Sequence, residues 1–174
     1  PKIEKELETF KDKIDAHHKM IFYYKFASLH FGAGNNKECI RYLDKIISNK
    51  SLSMREDLLC FSRVLNLVAH YEAGLDYHLE TLLRSTYKFL IKMNDLHEVQ
   101  KEMIKFIKNL QHIYPHDLKD AFKELLTTLK TYEDHPYERR AFLYLDIISW
   151  LESKIENKPV SDIINQKYLT RYAP

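Results

Sequence analysis

Four polar residues, Ser62, Arg63, Asn66 and His70, fall on one narrow arc when the segment from Ser53 to Ala73 is wound at about 100° per residue. Arg63 suits a partner carboxylate and Asn66 a peptide backbone, which is the chemistry of a binding groove. The same side chains suit an internal network equally well, with Arg63 paired to an acidic residue of a neighbouring helix. Both readings stand on the sequence. Other clusters carry less. His17 and His18 are adjacent, and His112 and His116 are spaced i, i+4 across Pro115, but no carboxylate or cysteine completes a metal set. No E-x-x-H pair of the di-iron type occurs. Lys101, Lys105 and Lys108 share a face that His112 continues, yet Glu98 and Glu102 lie on the same helix, so a solvated face is expected rather than a phosphate track. Arg139 and Arg140 beside Glu138 read the same way. There is no phosphate-binding glycine loop, serine elbow or cysteine–histidine signature. The expectation is a non-enzyme with no metal and no cofactor.

The elements that must position the stripe are helices. A chain of 174 residues with only three glycines and five prolines has little material for turns, so few, long elements are expected. Apolar content of 45% and charged content of 30% are ordinary for a globular protein. The formal charge of +2 gives no push towards nucleic acid or anionic membrane, and no apolar run is long enough to span one. Cys39 and Cys60 lie among apolar residues and are expected to be buried, reduced thiols of a cytoplasmic protein. The chain starts at Pro1 without an initiator methionine, and the expectation is a piece of a longer protein.

In order, the periodicity predicts helices over 2–14, about 17–33, and from an Asn35 cap with Glu38 to about Asn49. The central helix follows, with a Ser53–Glu56 capping box and Gly74 as its stop. It is apolar around most of its girth, through Leu58, Phe61, Val64, Leu65, Leu67, Val68, Ala69 and Tyr71. A helix like that must be covered on several sides. Further helices run to about Met93, from Asn94-Asp95 with Glu98 to the break at Tyr114-Pro115, and from Asp117 through Leu129. Asp134-His135-Pro136 starts one last long helix through Ile155, and 161–168 forms a short terminal one after Pro159. Helix starts at Ser53, Asp95 and Asp134 lie 42 and 39 positions apart, and turns at Gly34, Gly74 and Pro115 lie 40 and 41 apart. Such a period, two helices to the unit, is that of an α-solenoid.

Residues 23–47 resemble one tetratricopeptide repeat. Aligned on Gly34, the large first-helix aromatic falls on Tyr23, the small residue on Ala27, and the second-helix positions on Cys39 and Leu43. His30, Ile46 and Ser51 depart from the motif, as do Arg63 and Leu79 in the next unit. The resemblance implies an all-α fold over 1–174: a right-handed superhelix of stacked antiparallel hairpins with about 7–9 helices. The best repeat match is 20–50, and 159–174 is a terminal capping segment. The whole looks like the carboxy-terminal part of a longer bacterial protein of this kind. It further implies a concave groove that binds protein or peptide, lined by first helices, so that Tyr24, Lys25 and Ser28 extend the surface of Ser62, Arg63, Asn66 and His70. Arg84 and Lys88, on a second helix, belong outside. The expected function is therefore a scaffold module. Two alternatives are a peptide-sensing domain of a transcription regulator and a nucleic-acid-binding solenoid, the latter disfavoured by the charge. A homodimer is compatible with either groove reading.

Overall fold

A computed structural model describes residues 4, 6, 9, 10, 13–49, 56–93 and 97–172, with backbone alone at 76, 111 and 172. Among them are nine α-helices and no strand. These are α1 (Ala16–Gly32), α2 (Asn36–Ile47), α3 (Glu56–Glu72), α4 (Asp76–Met93), α5 (Glu98–Asn109), α6 (Leu118–Lys130), α7 (Arg140–Tyr144), α8 (Ile147–Glu156) and α9 (Val160–Tyr172). A single turn of 3-10 helix, Leu110–His112, follows α5. The all-α class is as expected. No helix among the described residues is long and apolar enough to cross a membrane.

The first two hairpins turn in the same way. After α1, the amides of Ala33, Gly34 and Asn35 donate to the carbonyls of Leu29, Phe31 and His30. After α3, those of Ala73, Gly74 and Leu75 donate to Ala69, Tyr71 and His70, the same three offsets 40 positions on. This pairing is a Schellman stop, which needs a left-handed residue just past the helix end. Gly34 (φ 75°) and Gly74 (φ 66°) supply it. A three-residue connection leaves the flanking helices antiparallel neighbours.

α3 is the hub. It packs against α1, α2, α4, α5 and α7, and Leu58, Phe61, Val64, Leu65, Leu67, Val68 and Ala69 are all buried on it. Burying each large aliphatic side chain contributes roughly 1.5–3 kcal/mol, so this helix carries much of the core. The indole N–H of Trp150 on α8 donates to Glu72 Oε1 at 2.9 Å, and Lys154 Nζ meets the same carboxylate at 2.8 Å, tying α8 to the end of α3. α6 packs on α8, and α9 packs on both α8 and α1. In a strict solenoid each unit touches only its neighbours; here the last helix comes back to the first.

The single long helix expected from Asp134 to Ile155 is two. Leu145 is extended (φ −134°, ψ 120°) and Asp146 restarts the chain by accepting the Ser149 amide at 3.0 Å. The break frees the Tyr144 carbonyl, which a continuous helix would consume, and the buried Tyr24 hydroxyl donates to it at 2.8 Å. Asp134–Arg139 are turns rather than helix, with Glu138 buried and accepting the Val99 amide at 3.3 Å. The expected Asn35–Glu38 box does not form: Asn35 makes no side-chain cap bond, and Glu38 instead takes Arg41 Nε at 2.8 Å. Asp117 precedes α6 without capping it. The expected caps at Ser53 and at Asn94-Asp95 lie outside the described residues. α5 itself starts after His97, whose amide donates to the Gln100 side chain at 3.0 Å. The terminal helix is longer than 161–168, running to Tyr172.

Candidate functional site

A hollow of about 790 Å³ is built by four parts of the chain. α1 contributes Ile21, Tyr24, Lys25, Ser28 and Leu29, residues that recur at helical spacing and so share one face. Leu58 of α3 and the segment from Phe142 to Tyr144 line it as well, with the exposed Leu143 at its rim. The far wall is α9, through Ser161, Ile164, Asn165 and Tyr168.

Each wall has a physical reason for its place. The Tyr144 ring stacks on Phe61 with centroids 4.5 Å apart, and its hydroxyl donates to Asp57 Oδ2 at 2.7 Å. With the bond from Tyr24, these contacts hold the α7–α8 break against α1 and α3. Burial pushes the Tyr24 phenol above its ordinary pKa, so it stays a neutral donor. Ser28 Oγ donates to the Tyr24 carbonyl at 3.0 Å within α1. α9 packs on the end of α1 at Gly32, where an added Cβ would stand 3.5 Å from Ile164 Cδ1, an ordinary van der Waals contact. Ile163, buried beneath α9, and Lys167, which reaches Glu152 at 2.7 Å and Ser149 Oγ at 2.9 Å, fasten the other side.

The surface of the hollow is apolar and open. Leu29 is 57% exposed, Leu143 80%, Tyr168 60% and Ile164 38%. Two charges stand among these residues. Asp146 uses Oδ1 on the Ser149 amide, and Lys25 is exposed without an ion-pair partner among the described residues. The lining thus offers apolar contact area with two charges, one of each sign.

Of the seven residues expected to share a surface, the structure brings Tyr24, Lys25 and Ser28 to this hollow. The stripe on α3 goes elsewhere. Ser62, Asn66 and His70 are 0%, 4% and 8% exposed, closed in as the neighbouring helices pack around α3. Ser62 Oγ donates to the Leu58 carbonyl at 2.7 Å, and His70 Nδ1 to the Asn66 carbonyl at 2.8 Å. Arg63 is half-buried with its guanidinium 4.2 Å above the Phe89 ring. Burial pushes its pKa below the ordinary value. The ion pair expected of it in the network reading is absent among the described residues; the partner is an aromatic face.

Sequence reading missed Leu29, Phe142, Leu143, Asp146, Ile164 and Tyr168. Leu143 stands in an unbroken apolar run, a pattern that does not mark it as exposed. Arg84 and Lys88 are exposed as expected, Arg84 paired to Glu80 at 3.0 Å. Lys101, Lys105 and Lys108 are exposed too, the first two beside Glu98 and Glu102. Cys39 and Cys60 are buried and in no disulfide, and burial pushes the Cys39 thiol up to about 12. No protein family, curated protein or solved structure matches the chain.

Proposed function

We propose that the chain is a non-catalytic docking module for protein or peptide, and that the groove between α1 and α9 is where the partner sits. One observation carries this reading: large apolar side chains are exposed together around one concave hollow. Isolated exposed apolar residues need no explanation, but a cluster rimmed by polar groups marks an interaction surface. The groove is lined by a first helix of the first hairpin, in keeping with a tetratricopeptide-like stack in which α1–α2 and α3–α4 are successive right-handed units. The two matching Schellman stops 40 positions apart support that stack. Two reduced, buried cysteines fit a cytoplasmic setting.

The experiment is a selection of displayed random peptides of about twelve residues, a length that spans about three helical turns, on the immobilised chain. Peptides with spaced apolar anchors are expected from the wild type, and Leu29→Glu and Leu143→Glu should each abolish their retention. Both side chains are exposed, so the variants fold. Failure to enrich any peptide, or retention unaffected by both substitutions, rejects this function for the groove.

A further inference from the structure

We propose that the groove is the interface of a two-fold symmetric dimer, in which each copy seats Leu143 in the hollow of the other. The inference rests on the docking reading above and names the occupant.

Shape is the first argument. Leu143, at 80% exposure, is the most exposed large apolar side chain of the described residues, and it stands on the rim of the hollow it helps to line. A two-fold contact uses the same patch twice, so the patch must supply both a projection and a place to receive it. Leu143 is the projection, and the space between Leu29 and Tyr168 receives it. Charge is the second argument. The lining holds one cation and one anion, Lys25 and Asp146, so the patch is neutral overall and complementary to itself. Two-fold symmetry places Lys25 of each copy opposite Asp146 of the other, making the pair twice. Lys25 has no ion-pair partner within its own chain among the described residues, and only Oδ1 of Asp146 serves as a cap there. The exposed apolar residues Tyr77 and Ile91 on α4 do not line this hollow.

The test is molar mass by light scattering during gel filtration, from about 1 to 100 µM, the range in which micromolar association is read. Wild type is compared with Leu143→Glu, Lys25→Glu and a control, Tyr77→Glu, with circular dichroism to verify folding. The wild type should rise to twice the monomer mass. Leu143→Glu should raise the dissociation constant at least about tenfold, as for a central apolar anchor. Lys25→Glu should raise it about fivefold, more at low salt, as for an exposed pair. Tyr77→Glu should change nothing. A wild type monomeric at about 100 µM, a mass above the dimer, or a dimer indifferent to Leu143→Glu overturns the proposal. A monomer that still enriches displayed peptides removes the dimer and leaves the docking reading standing. A dimer that enriches none does the reverse.

Discussion

Replacing Glu72 with alanine tests how the carboxy-terminal helices are held to the hub. The Trp150 side chain is 1% exposed and donates its indole N–H to Glu72 at 2.9 Å. Without the carboxylate that buried donor has no acceptor, which costs roughly 1–3 kcal/mol. The Lys154 pair, with side chains 31% and 16% exposed, adds at most about 1 kcal/mol. Glu72→Ala should therefore lose about 1–4 kcal/mol in total, and a chain of this length drops about 2–4 °C per kcal/mol. Tm should fall by about 2–16 °C. Trp150 is the only tryptophan, so urea unfolding followed by its fluorescence reads the site directly. Glu72→Gln keeps an acceptor for the indole and should lose only about 1 kcal/mol. In a double-mutant cycle with Trp150→Phe the coupling should exceed about 1 kcal/mol. Glu72→Ala within about 0.5 kcal/mol of wild type would refute the tie between α3 and α8.

Gly34→Ala and Gly74→Ala should each cost about 1–2 kcal/mol and by equal amounts, since both hold a positive φ with nothing within 4 Å of a new Cβ; chemical denaturation reads this. Cys39 and Cys60 should react with a thiol reagent only on unfolding, seen as no rapid colour from native protein. Burial works to raise the Glu4 carboxyl, but hydrogen bonds, those from His30 and Tyr42 among them, outweigh it and the group lies at about 2; the His18 amide holds Asp15 at about 2 as well. Both folded values lie below the ordinary 4.5 and 3.8. The stability they contribute is thus present above those ordinary values and is lost as pH falls towards about 2. Carboxyl NMR titration should give midpoints near 2 for both, and ordinary midpoints would contradict the contacts.

Helix type was legible because the apolar spacing is strong and the two glycine stops are placed where only a left-handed residue fits. The girth of α3 was legible in the same way, and it turned out buried on nearly every side. The polar stripe, open in sequence between groove and internal network, is enclosed with that girth: Ser62 and His70 satisfy themselves on carbonyls one turn back. The break at Leu145 was invisible to periodicity, since Tyr144-Leu145 and Ile147-Ile148 continue an apolar pattern. The carbonyl it frees is taken by a partner distant in sequence, the Tyr24 hydroxyl. Half of the groove depends on that break and on α9, so only its α1 side, Tyr24, Lys25 and Ser28, could be read in advance.

The groove is tested most directly by methyl NMR on leucine- and isoleucine-labelled chain, titrated with a peptide recovered by selection. Resonances of Leu29, Leu143 and Ile164 should shift together and saturate with one constant, while those of Leu67 and Leu83 stay still. Saturable shifts confined to the α3–α4 core, with the three groove methyls unmoved, would contradict the account.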